Sequence, residues 1–327
     1  MNPIIDTGET LCASGGAGTG AMATCPQSVL GQDGDSVNVP NARAFMGPTG
    51  HSTYSNDYTT TDTVKGLVWK TCADGLSGIN CATGTFNTLN WAGAGTACSA
   101  LNAANSGAGY AGIKSWRLPS IEELQSLINI VSSPTIDAVN FPGTQLDTHW
   151  SATVSFSNGA NSWSIDFADD TEIENAQANL GLARCVSGSS QTRGPYSTLQ
   201  TGVILDGSNG LVWQKCSAGL NNDATCSGTA LTQTWINAIS YCQTLGLAGK
   251  SWRLPNLNEL YSLSKFSAAN PAIEVSAFPA TPNLAFWSST TMSGNTLNAH
   301  TVNFSSGGSG FSAKSASLNT RCVTDNQ

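Results

Sequence analysis

The stretch KSWRLP occupies residues 114–119 and recurs letter for letter at residues 250–255. At odds of about one in twenty per letter, chance is a poor explanation for such a match, so a tandem duplication is sought before anything else. Working outward, Gly66-Leu67-Val68-Trp69 answers to Gly210-Leu211-Val212-Trp213, Cys72 and Cys81 answer to Cys216 and Cys226, and Trp91 and Cys98 answer to Trp235 and Cys242. Beyond the motif, Phe141-Pro142 matches Phe278-Pro279, Trp150-Ser151 matches Trp287-Ser288, and Arg184-Cys185-Val186 matches Arg321-Cys322-Val323. The order never breaks. Two homologous domains are therefore expected at 61–188 and 201–327. Between them lies a linker, 189–200, inside the Ser/Gly/Pro-containing stretch SGSSQTRGPYST, and before them an extended leader segment, 1–60, with one disulfide loop.

A chain of 327 residues is long enough for two such domains. Its charged fraction is 10%, against about 25% in an ordinary globular protein, so solubility rests mainly on Gly, Ser, Thr and Asn. The balance of 13 Lys+Arg against 21 Asp+Glu, with no basic run, excludes a nucleic-acid partner. No apolar run approaches the length of about 18 residues that a membrane-spanning helix needs. Ten cysteines are more than a reducing cytosol leaves idle, so oxidised pairs and an extracellular or cell-surface location are expected. MNPIIDTGET lacks the basic start and apolar core of an export signal, which is expected to have been removed from this numbering.

Four cysteines per domain allow three pairings. The short spacings of Cys72 to Cys81 and of Cys216 to Cys226 suit closed local loops, which leaves Cys98–Cys185 and Cys242–Cys322; Cys12 and Cys25 pair in the leader. Trp235, Ala238, Ile239, Cys242 and Leu245 recur at helical steps, as do Trp91, Ala94, Cys98 and Leu101. KSWRLP then reads as a corner: tryptophan and leucine enter the core, proline stops the extended chain, and Ser120 or Asn256 caps a second helix with Glu123 or Glu259 reaching back. The stripe Ile121, Leu124, Leu127, Ile128, Val131 predicts the buried side of that helix, and Leu257, Leu260, Leu263, Phe266 its counterpart. Short alternations such as Trp163, Ile165, Phe167 and Thr301-Val302-Asn303-Phe304 read as strands of a small antiparallel sheet. The fold class is α+β: two tandem disulfide-stapled domains, each with two helices and a small antiparallel sheet.

Trp116, Arg117 and Glu123, with Trp252, Arg253 and Glu259, are the structural residues of the corner, each arginine expected to pair with its glutamate. The ordered set Gly-Leu-Val-Trp, Trp-Arg-Leu-Pro-x-x-x-Glu-Leu, Phe-Pro, Trp-Ser-Ser-Thr and Arg-Cys-Val resembles the Lcl-type C-terminal domain of bacterial surface proteins, in two copies. The leader DTGETLC…CPQSVLGQD is similar to segments that precede such domains. The resemblance implies a secreted or surface-exposed protein acting in adhesion, with glycans among its partners. More remotely, the Arg-Leu-Pro corner and the helix-to-last-strand bridge resemble C-type-lectin-like folds and formylglycine-generating enzymes. No Glu-Pro-Asn, Gln-Pro-Asp or Trp-Asn-Asp triplet is present, and Glu123-Leu124 and Glu259-Leu260 stand where the oxidoreductase has a Glu-Trp pair.

No catalytic, cofactor or zinc constellation emerges: His51, His149 and His300 stand in no metal-ligand spacing, and neither a nucleophile elbow nor a Walker loop occurs. Asp166, Asp169 and Asp170, within an acidic run, are candidate calcium ligands. Their counterpart stretch, Asn303 to Ser312, has no carboxylate, which favours a solvated loop. Trp163, without a counterpart in the other repeat, is the candidate exposed aromatic, with an ordinary strand residue as the equal alternative. The expectation is a non-catalytic extracellular surface protein, adhesive or a filament subunit; the alternatives are a glycan-binding lectin-like module and an oxidoreductase of the formylglycine-generating kind. Residues 1–60 hold too few large apolar side chains for a core and must lean on something. Val37, Val39 and Phe45 in SVNVPNARAF are expected to add to a sheet edge of the chain itself or of a neighbour, which makes self-association through this segment an expected partnership.

Overall fold

Both repeats build the same α+β unit and bury most of the same apolar positions. The computed structural model describes residues 2–325, the Thr171 side chain excepted. It divides into two units, Arg43–Gln191 and a second made of Thr192–Gln327 together with Met1–Ala42.

In the first unit a four-stranded antiparallel sheet runs in the order Val186–Ser187, Leu67–Lys70, Tyr58–Asp62, Phe45–Gly50. Trp69 sits opposite Thr60 on one side and Val186 on the other, and is fully buried. A three-stranded antiparallel sheet follows, ordered Thr171–Ala176, Asn161–Asp166, Thr148–Val154. The helix Trp91–Ala100 is capped by Asn90, whose Oδ1 accepts from Gly93 N at 2.9 Å. Its glycines and alanines offer little apolar grip. Ala94 and Cys98 enter a core of Tyr110, Trp116, Leu118, Trp150 and Cys185, and the Cys98–Cys185 bridge ties the helix to the last strand.

The second unit repeats this with strands Tyr196–Gln200, Val203–Asp206, Leu211–Gln214 and Val323–Asp325, then Ala285–Thr291, Asn298–Asn303 and Ser309–Ala313. Helix Trp235–Thr244 places Trp235, Ala238, Ile239 and Cys242 against Trp252, Leu254, Trp287 and Cys322. All ten cysteines are bridged: Cys12–Cys25, Cys72–Cys81, Cys98–Cys185, Cys216–Cys226 and Cys242–Cys322. No helix of the described residues is long and apolar enough to cross a membrane.

Several expectations are corrected. The helices after the corner stop after one turn, at Ile121–Gln125 and Leu257–Tyr261. Leu127 and Ile128 then bond back three residues, to Leu124 and Gln125, and Ser126 Oγ takes the Glu123 carbonyl; the tightened turn leaves Val131 46% exposed. The boundaries at 61 and 201 are also displaced. Phe45–Gly50 and Tyr58–Asp62 belong to the first sheet, and Tyr196–Gln200 is the outer strand of the second sheet, within the stretch read as linker. The edge strand that SVNVPNARAF contributes starts at Phe45 and pairs within its own chain, while Val37 and Val39 join no strand. Residues 326 and 327, placed in the second domain, lie outside the described residues.

Candidate functional site

The corner is one constellation built twice. Arg117 exchanges backbone hydrogen bonds with Val186 at 2.9 Å each way, and Arg253 does so with Val323 at 3.0 Å, so each corner leans on the residue after the bridged Cys185 or Cys322. Arg117 Nη1 donates to Glu123 Oε2 at 2.7 Å and Nη2 to Oε1 at 2.6 Å; Arg253 makes the same fork to Glu259 at 2.6 Å and 2.6 Å. Both glutamate side chains are fully buried, while the arginines keep 30% and 22% of their side chains exposed. Each glutamate also accepts from its cap residue, Ser120 N at 2.8 Å or Asn256 N at 2.9 Å. One carboxylate thus completes the cap and the fork together. Trp116 Nε1 donates to Tyr110 O and Trp252 Nε1 to Leu247 O, which fixes the tryptophans that flank the arginines.

A second pair of arginines is buried with no carboxylate in hydrogen-bond reach among the described residues. Arg321 donates to the carbonyls of Gln214 and Lys215, to Ser217 Oγ at 3.2 Å and to Thr281 Oγ1 at 2.8 Å, with its guanidinium 4.7 Å from the Phe278 ring centroid. Arg184 donates to Thr71 O and to Thr144 Oγ1 at 2.8 Å, 5.3 Å from Phe141. Burial pulls both guanidinium groups down to about 9. These arginines clamp the end of a sheet strand to the Phe-Pro loop. Their signal was already in the repeated Arg-Cys-Val and Phe-Pro pairs, but adjacency in space is what gives it meaning.

His149 stands where the other repeat has Phe286, packing on Phe167 as Phe286 packs on Phe304. Burial first, and the Arg184 charge second, push its imidazole down to about 3, so it serves as a neutral aromatic. His300 is likewise buried and pushed down to about 4. Asp166 ends the strand Asn161–Asp166, and Asp169 and Asp170 lie on the turn before Thr171–Ala176, where burial first and the Asp169 charge second push the Asp170 carboxyl up to about 7. Among the described residues the single cluster of three ligand-type side chains is Cys12, Cys25 and Asp35, and two of those form a disulfide. Trp163 is 5% exposed, an ordinary strand residue and not an exposed aromatic: Ser162 and Ser164 on the opposite face of its strand are buried as well, so both faces of that strand are covered.

The site that the letters did not disclose lies on the second domain, under residues 2–42. Asn258 Nδ2 donates to Ile5 O at 2.8 Å, Asn256 Nδ2 to Val39 O at 3.0 Å, Gln243 Nε2 to Leu30 O at 3.0 Å and Thr296 Oγ1 to Thr19 O at 3.0 Å. Lys314 Nζ donates to Gly18 O while lying 3.8 Å from the Trp235 ring centroid, and burial pulls its ammonium down to about 7. Gly18 has φ +62° and touches the same ring so closely that an added Cβ would stand 2.7 Å from it. Thr290 and Thr7 both donate to Asp33 Oδ2 at 2.7 Å; burial, with Asp6 nearby, pushes this carboxyl up to about 7. Val29 completes the apolar contact inside the second domain's core.

The first domain carries other letters at these places. Ser120 stands for Asn256, Glu122 for Asn258 and Ser99 for Gln243. Gln177, whose carbonyl receives Trp91 N as that of Lys314 receives Trp235 N, stands for the lysine. Trp235 is fully buried, and Trp91 only partly.

The model of the Lcl C-terminal domain matches residues 58–187 and 202–324, more than half of the chain, and the chain belongs to that family in two tandem copies. No curated protein matches the chain.

Proposed function

We propose that this two-copy member of the Lcl C-terminal domain family is an extracellular bacterial surface protein without catalytic activity, a subunit of an extracellular assembly that acts in adhesion. The observation that carries the reading is the commitment of all ten cysteines to intrachain bridges in a chain with few charges. The ionisable groups inside each repeat support it: Glu123 and Glu259 are engaged by an arginine and a cap, and Arg184 and Arg321 by carbonyls and hydroxyls of their own domain. With no thiol left over, chemistry of the formylglycine-generating kind has no reactive cysteine to use. A C-type-lectin-like ancestry is part of the proposal, on the bridge from the first helix to the last strand.

The test is fractionation of cells that make the protein, with free thiols alkylated at lysis. Recovery outside the cytoplasm with ten unalkylated cysteines is expected; a cytoplasmic protein with alkylated cysteines overturns the reading.

A further inference from the structure

We propose that residues 2–42 dock on the second domain of a neighbouring copy as well as on their own, so that copies exchange this segment and link head to tail. The proposal deepens the reading of the chain as an assembly subunit and names the partner as a second copy of the chain.

The docked segment is separated in sequence from the domain that holds it by the whole of Arg43–Gln191. The junction is a single exposed residue, Ala42. On one side Asn41 is fastened to the segment, its carbonyl receiving Asp6 N and its Nδ2 donating to Ile4 O. On the other, Arg43 is fastened to the first domain through the carbonyls of Leu127 and Ile128. The two ends of the segment are therefore tied to each other, and Cys12–Cys25 closes a loop inside it, up to a joint one residue long. Both family matches leave it out, starting at 58 and 202.

The receiving site is built for this occupant. Asn256, Asn258, Gln243 and Lys314 donate to carbonyls of the segment, and the first domain has none of these four side chains at the matching places. Glu122, which stands for Asn258, brings a carboxylate where the Ile5 carbonyl would lie, so the first domain is closed to the segment and the second alone receives it. Contacts made in trans are the same as those made in cis, so the choice between them is set by chain connectivity and concentration. An intrachain tether holds the segment at an effective concentration on the order of millimolar, and copies crowded at a surface compete with that value. Because the segment precedes the first domain and its receptor is the second, an exchanged contact is heterologous and propagates from copy to copy.

The test uses two full-length chains, one carrying Thr19→Cys and the other Thr296→Cys, positions that touch through the Thr296 hydroxyl and the Thr19 carbonyl. They are mixed, incubated at rising concentration and treated with a short bis-maleimide. A covalent pair containing one chain of each kind, increasing with concentration, is expected, and placing Asn258→Glu with Lys314→Gln in the Thr296→Cys chain abolishes it while the five bridges still map. A chain carrying both cysteines cross-links within itself and sets the reach of the reagent. Single-chain products alone at every concentration overturn the exchange; the extracellular reading, tested by thiol state and fractionation, would stand.

Discussion

Asp33 and Thr290 lie 257 positions apart, and a 2.7 Å hydrogen bond joins their side chains inside the second unit. The same carboxyl receives Thr7, has Asp6 and Glu259 as charged neighbours, and is pushed up to about 7 by burial and by Asp6. Lys314, against the Gly18 carbonyl, Thr291 Oγ1 and the Trp235 ring, is pulled down to about 7 by burial. A raised carboxyl adds docking free energy in full below its ordinary value and loses it as pH rises through 7. A lowered ammonium adds it in full above its ordinary value and loses it as pH falls through 7. Protection of residues 2–42 from hydrogen exchange is therefore expected to be smallest near pH 7 and to rise on both sides. Lys314→Met removes the alkaline rise and Asp33→Asn the acid one. A profile that climbs steadily through pH 7 contradicts this assignment.

Arg253→Ala leaves the fully buried Glu259 with its cap contact and no counter-charge. Breaking a buried pair costs roughly 3–5 kcal/mol, and the arginine's partial exposure places this one toward the low end. Arg117→Ala, with a more exposed arginine, is expected to cost less. Denaturant unfolding of the full chain reads both, and equal stability to wild type would remove the corner from the fold's support.

Arg321→Lys keeps the charge and loses the planar fork that reaches Gln214, Lys215, Ser217 and Thr281 at once. Orphaned buried carbonyls and hydroxyls cost about 1–3 kcal/mol each. A lower melting temperature is expected, with a smaller drop for Arg184→Lys, whose partners are fewer.

The two classes of bridge differ in the loop they close. Cys242–Cys322 spans 80 residues and Cys216–Cys226 spans 10. In the chain-entropy model the long loop contributes about 4–5 kcal/mol and the short one about 3 kcal/mol. Replacing both cysteines of each bridge by alanine, one bridge at a time, is expected to destabilise in that order; the reverse order would mean that the short loop shapes the native state directly.

What could be read from the letters was local and repeated. KSWRLP with Ser120 or Asn256 and Glu123 or Glu259 states its own corner, because fork and cap lie within six residues and appear twice. The short cysteine pairs are suggested by spacing in the same way, whereas Cys98–Cys185 and Cys242–Cys322 are only what those loops leave over, since four cysteines allow three pairings. The helix end at Gln125 was hidden because Leu127 and Ile128 are buried by a tight turn as thoroughly as by a helix, so the stripe continued past the backbone that made it. Trp163, being unmatched, reads equally as an exposed aromatic or as an ordinary strand residue, and position in a doubly covered strand decides burial. The docking site was hidden for a different reason: Asn258, Gln243 and Lys314 look like ordinary polar surface until they are set against Glu122, Ser99 and Gln177 and against carbonyls more than two hundred positions away.

The most direct test of an extracellular assembly subunit is electron microscopy of the native protein, recovered from outside the cells that make it and never denatured. Linear arrays of linked copies are predicted, thinning to single particles on dilution or with Asn258→Glu and Lys314→Gln. Single 33.7 kDa chains at every concentration, on the cell surface and in solution alike, would contradict it.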